Sequence, residues 1–313
     1  MESRTTLKIE SRVVTQHRRT RYSVARYLVP YILIAPAIMI IAGLVLYPLI
    51  FSVVSSFHVD DLLYANTHTF IGMKNYTYVL SDPSFQGAAK NTVVYFILAS
   101  IGVLIMGLTI AKWLHHLSLK WRGTFLVIVM LPWAVPGVVT GLLWSFIYNP
   151  TSGILDNILK RLHLISQNIV WFNHPELSLV LISIALVWQI VPLASVILLA
   201  GIESIPPTIY EAAAADGCPP WLQFVRITLP LLRPSLAIVL VQSAVLSIGI
   251  FDQVYVLTGY SPSTKSVVIQ TYLYAFQNLN FGQGISAALL ITLAITLVGY
   301  LYLRFIYREV MYS

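Results

Sequence analysis

Residues 211–230 combine acidic, small and aromatic side chains whose types and spacing could bind another protein. The segment opens with the run EAAAADG, in which four consecutive alanines strongly favour a helix. Gly217 is the type of residue that ends a helix in a left-handed turn, and Pro219 and Pro220 suit the first turn of a second helix. The sequence therefore predicts a helix, a glycine turn and a second helix, which together form a compact protrusion between two long apolar segments.

Two interpretations of this protrusion stay open. The short alanine side chains leave a helix surface that another protein can approach closely, and Tyr210, Trp221 and Phe224 are aromatics of the kind enriched at interfaces. The local alternative is a capping box, because Thr208 and Glu211 have the spacing at which two side chains close the start of a helix.

The sequence contains none of the common motifs for nucleotide hydrolysis, redox chemistry or metal catalysis. The sequence contains no G-x-x-x-x-G-K-S/T phosphate loop, no C-x-x-C and no H-E-x-x-H, and its single cysteine, Cys218, excludes an intrachain disulfide. The seven histidines have no metal-ligand spacing on one helix, and His115 with His116 indicates a solvated turn. We predict a protein that is not an enzyme, with no catalytic residue, no metal site and no bound cofactor of its own.

The composition places most of the chain in lipid. Of its 313 residues, 58% are hydrophobic and only 10% are charged, and the mean hydropathy is +0.79. Soluble domains carry roughly 25% charged residues. The formal net charge of +7 is therefore no indication of nucleic-acid binding, because on a membrane protein the placement of basic residues matters more than their sum.

Six apolar stretches reach the length of about 20 residues that a bilayer-spanning helix needs. The first is too long for a cleaved signal peptide, so we expect a signal anchor. The prediction is an all-α integral membrane protein with six transmembrane helices in one domain at 29–307, preceded by a basic segment at 1–28 and followed by a tail at 308–313. The predicted spans are approximately 29–57, 92–114, 123–148, 177–200, 233–256 and 285–307.

The distribution of basic residues predicts the orientation of these spans. Fourteen of the nineteen lysines and arginines lie in the N-terminal segment, the 112–122 turn, the loop around Glu211 (Arg226 and Arg233) or the C-terminal region. Basic residues concentrate on the cytoplasmic side of membrane proteins. Both termini are therefore predicted to be cytoplasmic, and so is the 201–232 loop, which carries the protrusion between spans four and five.

The protrusion also matches a known motif. The pattern E-A-A-x-x-D-G followed by I-x-L-P resembles the cytoplasmic loop signature, or EAA motif, of binding-protein-dependent ABC importer permeases. The run FDQVYVLTG at 251–259 is similar to a segment of the sugar-importing branch, in the type that resembles the larger maltose permease subunit. The matching loop residues are Glu211, Ala212, Ala213, Asp216, Gly217, Ile227, Leu229 and Pro230.

This resemblance implies a permease subunit that translocates a sugar or oligosaccharide by alternating access. The protrusion would be a coupling helix in a groove of a separate ATPase, where Glu211 meets a basic residue and Gly217 provides the turn. The implied partners are a second homologous permease, an ATPase dimer that uses ATP and Mg, an extracytoplasmic solute-binding protein and membrane lipid, with no nucleic acid. The implied location is the bacterial or archaeal cell (inner) membrane, as a multi-pass protein.

Polar residues inside spans four and five are candidates for solute contact. Asp252 and Gln189 could hydrogen-bond a sugar, and Trp188 could provide a stacking surface. Packing is the alternative for Trp188, and an interhelical hydrogen bond is expected for Gln242. The predicted solute path consists of Trp188, Gln189, Leu193, Gly249, Asp252 and Gln253.

The chain departs from the sugar-importing pattern at two places. Ile248 and Gly249 stand where that branch usually has F-N, and residues 259–262 read GYSP in place of GGGP. These differences weaken the transfer of a maltose-like pocket. Another polar solute, such as glycerol phosphate, is one alternative, although a phosphate would favour Arg or Lys in the cavity and the interior of spans four and five contains neither. A secondary transporter is the more distant alternative, since those often show internal repeats and ionisable residues within the spans.

Overall fold

The computed structural model describes residues 24–59 and 69–307, and this part of the chain is helical apart from its loops. The one extended pairing in these ranges is an isolated bridge between His58 and Phe70. The all-α prediction is therefore confirmed for the described ranges. Most of the basic segment predicted at 1–28, and the whole tail predicted at 308–313, lie outside the described residues. The chain divides into two compact units, residues 1–51 and 52–313.

Helix α1 (Val24–Ile41) continues through a π-helical segment (Ala42–Leu46) into helix α2 (Tyr47–Ser55), and the first unit ends within α2 at Phe51. Residues Pro30–Ser55 are long and apolar enough to cross a membrane, and the most apolar window of this stretch has no buried residue. A helix that is apolar on all sides suits a membrane span. This helix coincides with the span predicted at 29–57.

The second unit contains thirteen helices in its described residues. In chain order they are α3 (Lys74–Ser81), α4 (Pro83–His116), α5 (Leu119–Met130), α6 (Gly137–Ile147), α7 (Ile154–Arg161), α8 (Pro175–Glu203), α9 (Pro207–Ala215), α10 (Pro220–Gln223), α11 (Leu229–Leu231), α12 (Arg233–Ile248), α13 (Asp252–Thr258), α14 (Val267–Tyr272) and α15 (Phe281–Tyr307). Short 3₁₀ segments cover Leu131–Ala134 and Trp171–Asn173, and π-helical segments cover Phe224–Thr228 and Leu273–Gln277.

Local signals start the two longest central helices. The Asp82 side chain accepts a hydrogen bond of 2.9 Å from the Ser84 backbone N–H at the start of α4, and Pro83 occupies the first turn. Pro175 occupies the first turn of α8 in the same way. Proline suits this position because its missing N–H has no helical partner there.

Helix α8 forms the centre of the second unit, and α4 packs along it. Ile182 and Leu198 of α8 are fully buried, as is Tyr95 of α4. Gly107 of α4 allows a close approach, since a Cβ at that position would lie 3.2 Å from Leu198 Cδ1. Small residues serve this purpose where helices pack within a membrane.

Four single helices are long and apolar enough to span a membrane. They are Pro30–Ser55, Pro83–His116, Pro175–Glu203 and Phe281–Arg304, and they coincide with the stretches predicted at 29–57, 92–114, 177–200 and 285–307. Two bent helix pairs also qualify, so by length and composition the described residues contain four candidate spans, or up to six if each pair counts as one.

The stretch predicted as one span at 123–148 is not one helix. Helix α5 ends at Met130, and α6 begins at Gly137 with a bend of 96° between the two helical arms. Pro132 and Pro136 explain this break. Proline removes a backbone donor, and it favours an extended conformation for the residue before it, which Val135 adopts.

The stretch predicted at 233–256 is also interrupted. Helix α12 ends at Ile248, and α13 begins only at Asp252. Gly249 follows the end of α12, and the Ile250 carbonyl accepts a hydrogen bond of 2.6 Å from the Ser266 hydroxyl rather than from a helical N–H. The other bent pair, Pro220–Leu231 with Arg233–Ile248, turns by 70°.

Candidate functional site

A cavity of about 360 Å³ lies where both helical breaks face α8. Polar groups from α8 and α13 and aromatic rings on both breaks share its wall. Four of the six residues predicted for the solute path line it. The lining residues are Trp133, Gly137, Leu186, Gln189, Ile190, Leu246, Gly249, Ile250, Phe251, Asp252 and Gln253.

A chain of side-chain hydrogen bonds holds this cavity together. The Gln253 amide donates to Oε1 of Gln189, and the Gln189 amide donates to the Val135 carbonyl at 2.7 Å. Val135 lies in the break between α5 and α6, and Gln253 lies in the first turn of α13. The two glutamines therefore join three separate parts of the chain, and Gln189 satisfies a carbonyl that the break leaves outside a helix.

Two glycines bring α13 against α6. A Cβ placed on Gly137 would overlap the Asp252 carboxylate, and one on Gly141 would lie 2.7 Å from Val256 Cβ. The Asp252 carboxylate thus lies beside the first residue of α6, where the positive end of the helix dipole favours an anion. Sequence reasoning missed these two glycines, although their G-x-x-x-G spacing in an apolar stretch is a recognised signal for close helix packing.

The cavity excludes two of the residues predicted for the solute path. Trp188 lines a different, apolar cavity of about 300 Å³, where its ring centroid lies 6.1 Å from that of Trp144. Leu193 lines none of the cavities described here. This environment favours the packing alternative for Trp188. The aromatic surface beside Gln189 comes from Trp133 and Phe251.

Gln242 does not show the expected interhelical bond at its carbonyl oxygen. Oε1 is buried and has no hydrogen-bond partner among the described residues. In the same residues, no three His, Cys, Asp or Glu side chains lie together so that they could hold a metal ion.

The predicted helix–turn–helix protrusion is present. Helix α9 ends in a Schellman motif, in which Gly217 N–H donates to the Ala214 carbonyl at 3.0 Å and Cys218 N–H donates to the Ala213 carbonyl at 2.9 Å. Gly217 has a φ of +74°, a left-handed conformation that glycine adopts without steric cost. The second helix starts at Pro220 and continues through the π-helical segment into α11.

The aromatic residues of the protrusion have two different roles. The Tyr210 hydroxyl shares a hydrogen bond of 2.9 Å with Thr228 Oγ1, and the Lys112 ammonium lies 4.8 Å from the centroid of the Phe224 ring. These contacts anchor the protrusion to its own chain. Trp221 is 68% exposed, so it is the aromatic that stays available to a partner.

The capping alternative for Glu211 is wrong. Helix α9 begins at Pro207, one residue before Thr208, and no side chain caps it.

Glu211 is exposed and makes no hydrogen bond or salt bridge within the described part of the chain. Ala212 and Asp216 are exposed with it, whereas Ala213, Ile227, Leu229 and Pro230 are partly buried. The motif therefore presents an acidic, small-residue face outward and an apolar side inward.

Arg122 joins three helix ends beneath the protrusion. Its guanidinium forms a salt bridge with Glu203 at the end of α8. The same group donates to the carbonyls of Leu114, at 3.1 Å, and His115, at 2.9 Å, which end α4. Sequence reasoning counted Arg122 only as a basic residue of a turn, because the partner carboxylate is 81 residues away.

Comparison with known families identifies related proteins. Residues 102–312 match the family described as "Binding-protein-dependent transport system inner membrane component". The chain is 30% identical to the sulfoquinovosyl glycerol transport system permease protein SmoG of Agrobacterium fabrum, over 98% of this chain and 99% of that protein. It is 32% identical to the trehalose/maltose transport system permease protein MalF of Thermococcus litoralis, over 88% of this chain and 92% of that protein.

Among solved structures, the chain resembles one from a bacterial ABC transporter involved in the import of the acidic polysaccharide alginate. The TM-score is 0.76, and the match covers 91% of this chain and 97% of that chain at 22% identity. This likeness supports the helical fold described above.

Proposed function

This chain belongs to the family of binding-protein-dependent transport system inner membrane components, and we propose that it is the permease subunit of an ATP-driven importer of a neutral sugar or oligosaccharide. The observation that carries the proposal is the central cavity, where hydrogen-bonding groups stand beside aromatic rings. Gln189 and Asp252 offer a donor and acceptors, and Trp133 and Phe251 offer apolar faces. Ligand sites commonly combine an apolar lining with a few placed polar groups.

The charge of the cavity supports a neutral solute. Asp252 is an acidic residue in its wall, and no Lys or Arg occurs among the described lining residues. Phosphate and carboxylate groups are bound preferentially by Arg and Lys. Glycerol phosphate, which the sequence left as an alternative, has no cationic partner in this wall, and the same holds for an acidic sugar.

The proposed topology has six spans, with each bent pair counted as one. Both termini and the 201–232 loop would then lie on the cytoplasmic side, with domain limits near 28 and 308. The support for this orientation is the excess of basic residues in the terminal segments and the loops on that side. The multi-pass chain itself belongs in the inner membrane, as its family does.

The proposed role of the protrusion is to couple the permease to a separate ATPase. Its exposed Glu211, its small residues and the exposed Trp221 form a surface suited to a partner groove. ATP and Mg would act in that ATPase dimer, and a second permease and an extracytoplasmic solute-binding protein would complete the importer. The permease would then alternate between two accessible states, biased by ATP and by solute.

The glycine turn allows a direct test of coupling. In Gly217→Pro the proline ring restricts φ to negative values and removes the N–H that bonds Ala214, so α9 can no longer end as it does. We expect co-purification of the ATPase to fall at least about tenfold, which corresponds to about 1.4 kcal/mol. Gly217→Asn is the matched control, because asparagine tolerates the left-handed conformation.

Undiminished ATPase recovery with Gly217→Pro would contradict the coupling role.

Transport in vesicles tests the solute and the energy source separately. We expect uptake of neutral sugars, with no uptake of glycerol phosphate, and we expect uptake to persist when ion gradients are collapsed while ATP is held constant. Uptake that requires an ion gradient would identify a secondary transporter.

A further inference from the structure

A second cavity, of about 310 Å³, lies between the end of α4 and the protrusion. Three basic or titratable side chains of α4, Lys112, His115 and His116, line one wall. Residues of the protrusion form the other wall, among them Tyr210 and Phe224. The transport function proposed above does not use this cavity.

The basic side chains are not needed to neutralise the end of α4. A helix C-terminus carries a partial negative charge on its free carbonyls. Here Arg122 already donates to the Leu114 and His115 carbonyls, and it also pairs with Glu203, the acidic side chain at the neighbouring end of α8.

The side chains of Lys112, His115 and His116 form no hydrogen bond or salt bridge among the described residues. Their contacts there are with rings, since Lys112 lies over Phe224 and the two histidines touch each other. Glu203 is near enough to attract His115, but its carboxylate pairs with Arg122, so the side chains of this wall form no salt bridge with it. Such a cluster suits an anion with several acceptor oxygens.

An apolar groove continues from the same basic wall. This neighbouring cavity, of about 420 Å³, shares Lys112, His116 and Phe224 with the first and extends along α4 past Leu108 and Trp113. The Trp113 ring packs edge-on against Phe125 of α5, at 5.1 Å between centroids, which gives the groove a rigid side.

The position of these residues matches a membrane boundary. Helix α4 is a candidate span that ends at His116, so its last turn lies where hydrocarbon meets water on one side of the membrane. Basic pockets between helices at such a boundary bind phosphate headgroups of anionic lipids, and tryptophan is enriched at the same depth.

We propose that this site binds an anionic glycerophospholipid, with its phosphate headgroup at Lys112 and His116 and an acyl chain in the groove along α4. A free phosphate would fill the basic cavity but would leave the apolar groove without an occupant. Because Tyr210 and Phe224 belong to the protrusion, the bound lipid links α4 to the segment that carries the EAA motif. The lipid site does not depend on the identity of the transported solute.

Native mass spectrometry of the full-length chain tests this site. The purified protein is titrated with phosphatidylglycerol or phosphatidylcholine in mixed micelles, and the retained lipids are counted. We expect one phosphatidylglycerol to be retained preferentially over phosphatidylcholine. In the double variant Lys112→Gln/His116→Gln, its apparent affinity falls at least about fivefold, the effect expected for one cation near an anionic surface.

Two controls separate this site from general attraction to anionic lipid. Lys120→Gln removes an exposed lysine of α5 that lines neither cavity, and it should retain the lipid as the wild type does. Lys112→Arg keeps the positive charge and should also retain the lipid. Retention by this variant would show that a substitution at position 112 does not by itself disrupt the fold of the site.

Several results would overturn the proposal. Equal retention of phosphatidylglycerol by the wild type and the double variant would place lipid binding elsewhere. If the wild type retained phosphatidylcholine as well as it retains phosphatidylglycerol, the negative charge of the lipid would have no role in binding. Displacement of the lipid by millimolar inorganic phosphate would indicate a free-anion site, and displacement by an added ATPase subunit would indicate that the basic wall binds an acidic protein surface.

Discussion

The hydrogen bonds that form the glycine turn of the protrusion join close neighbours in sequence, whereas those in the central cavity join distant residues. Gly217 and Cys218 bond to carbonyls three and five positions earlier in the chain. In the cavity, Gln189 bonds to a carbonyl 54 residues away, and Gln253 bonds to a side chain 64 residues away. A local motif forms wherever its residues occur, but the cavity exists only when three helices have packed correctly.

This difference predicts that the two regions fail separately. Damage to cavity packing should stop solute movement while the protrusion still binds its partner, and damage to the protrusion should do the reverse. Three substitutions, taken from the largest expected effect to the smallest, test this separation.

The largest effect is expected from Gly141→Leu. The new side chain would overlap Val256 and push α13 away from α6, and overpacking of this kind costs typically about 1–3 kcal/mol. We expect solute uptake to fall about a hundredfold, which corresponds to about 2.7 kcal/mol, while ATPase co-purification is unchanged. Gly299→Leu is the matched control, because a Cβ at that position has open space around it. Loss of the ATPase together with uptake would show that the regions are not separate.

A smaller effect is expected from Gln189→Leu. The substitution leaves the Val135 carbonyl and the buried Gln253 amide without partners, and each such group costs about 1–3 kcal/mol. We expect the melting temperature of the purified protein to fall and uptake to decrease at least about tenfold. Gln277→Leu, at an exposed position on a π-helical segment, is the control. An unchanged melting temperature would mean that the two glutamines do not hold the helical breaks together.

The smallest effect is expected from Trp221→Ala. Trp221 is exposed, so its loss should leave the fold and the cavity intact and remove only contact with a partner. Truncation of an interface tryptophan commonly costs more than about 1 kcal/mol, so ATPase affinity should fall about fivefold to tenfold. Trp121→Ala removes an equally large exposed ring from α5 and should have no effect on that affinity. Reduced uptake with normal ATPase affinity would assign Trp221 to the solute path instead.

Sequence patterns predicted the protrusion almost completely. The alanine run, Gly217 and the paired prolines are local signals, and each has the predicted conformation. The capping role of Glu211 failed because the helix starts at Pro207, two residues before Ile209, where a capping box with Thr208 as the N-cap would start it. At this position the preference of proline for the first helical turn, and not the capping box, set the start of the helix.

The cavity could be predicted only in part. Gln189, Gly249, Asp252 and Gln253 were found because polar or small residues are conspicuous in apolar spans. Trp188 lies outside this cavity because its neighbour Gln189 projects about 100° away around the helix, so the two side chains reach different cavities. Trp133 was missed because its place in the wall depends on the 96° bend between α5 and α6.

The sequence by itself determined the membrane character of the chain, its helical class, its family and the local structure of residues 207–220. These properties follow from composition and from interactions between near neighbours. Only the tertiary structure decided where helices break, which side chains share a cavity, and that Arg122 pairs with Glu203 beside the basic end of α4. Those outcomes depend on packing between segments far apart in the chain, for which local residue spacing carries no signal.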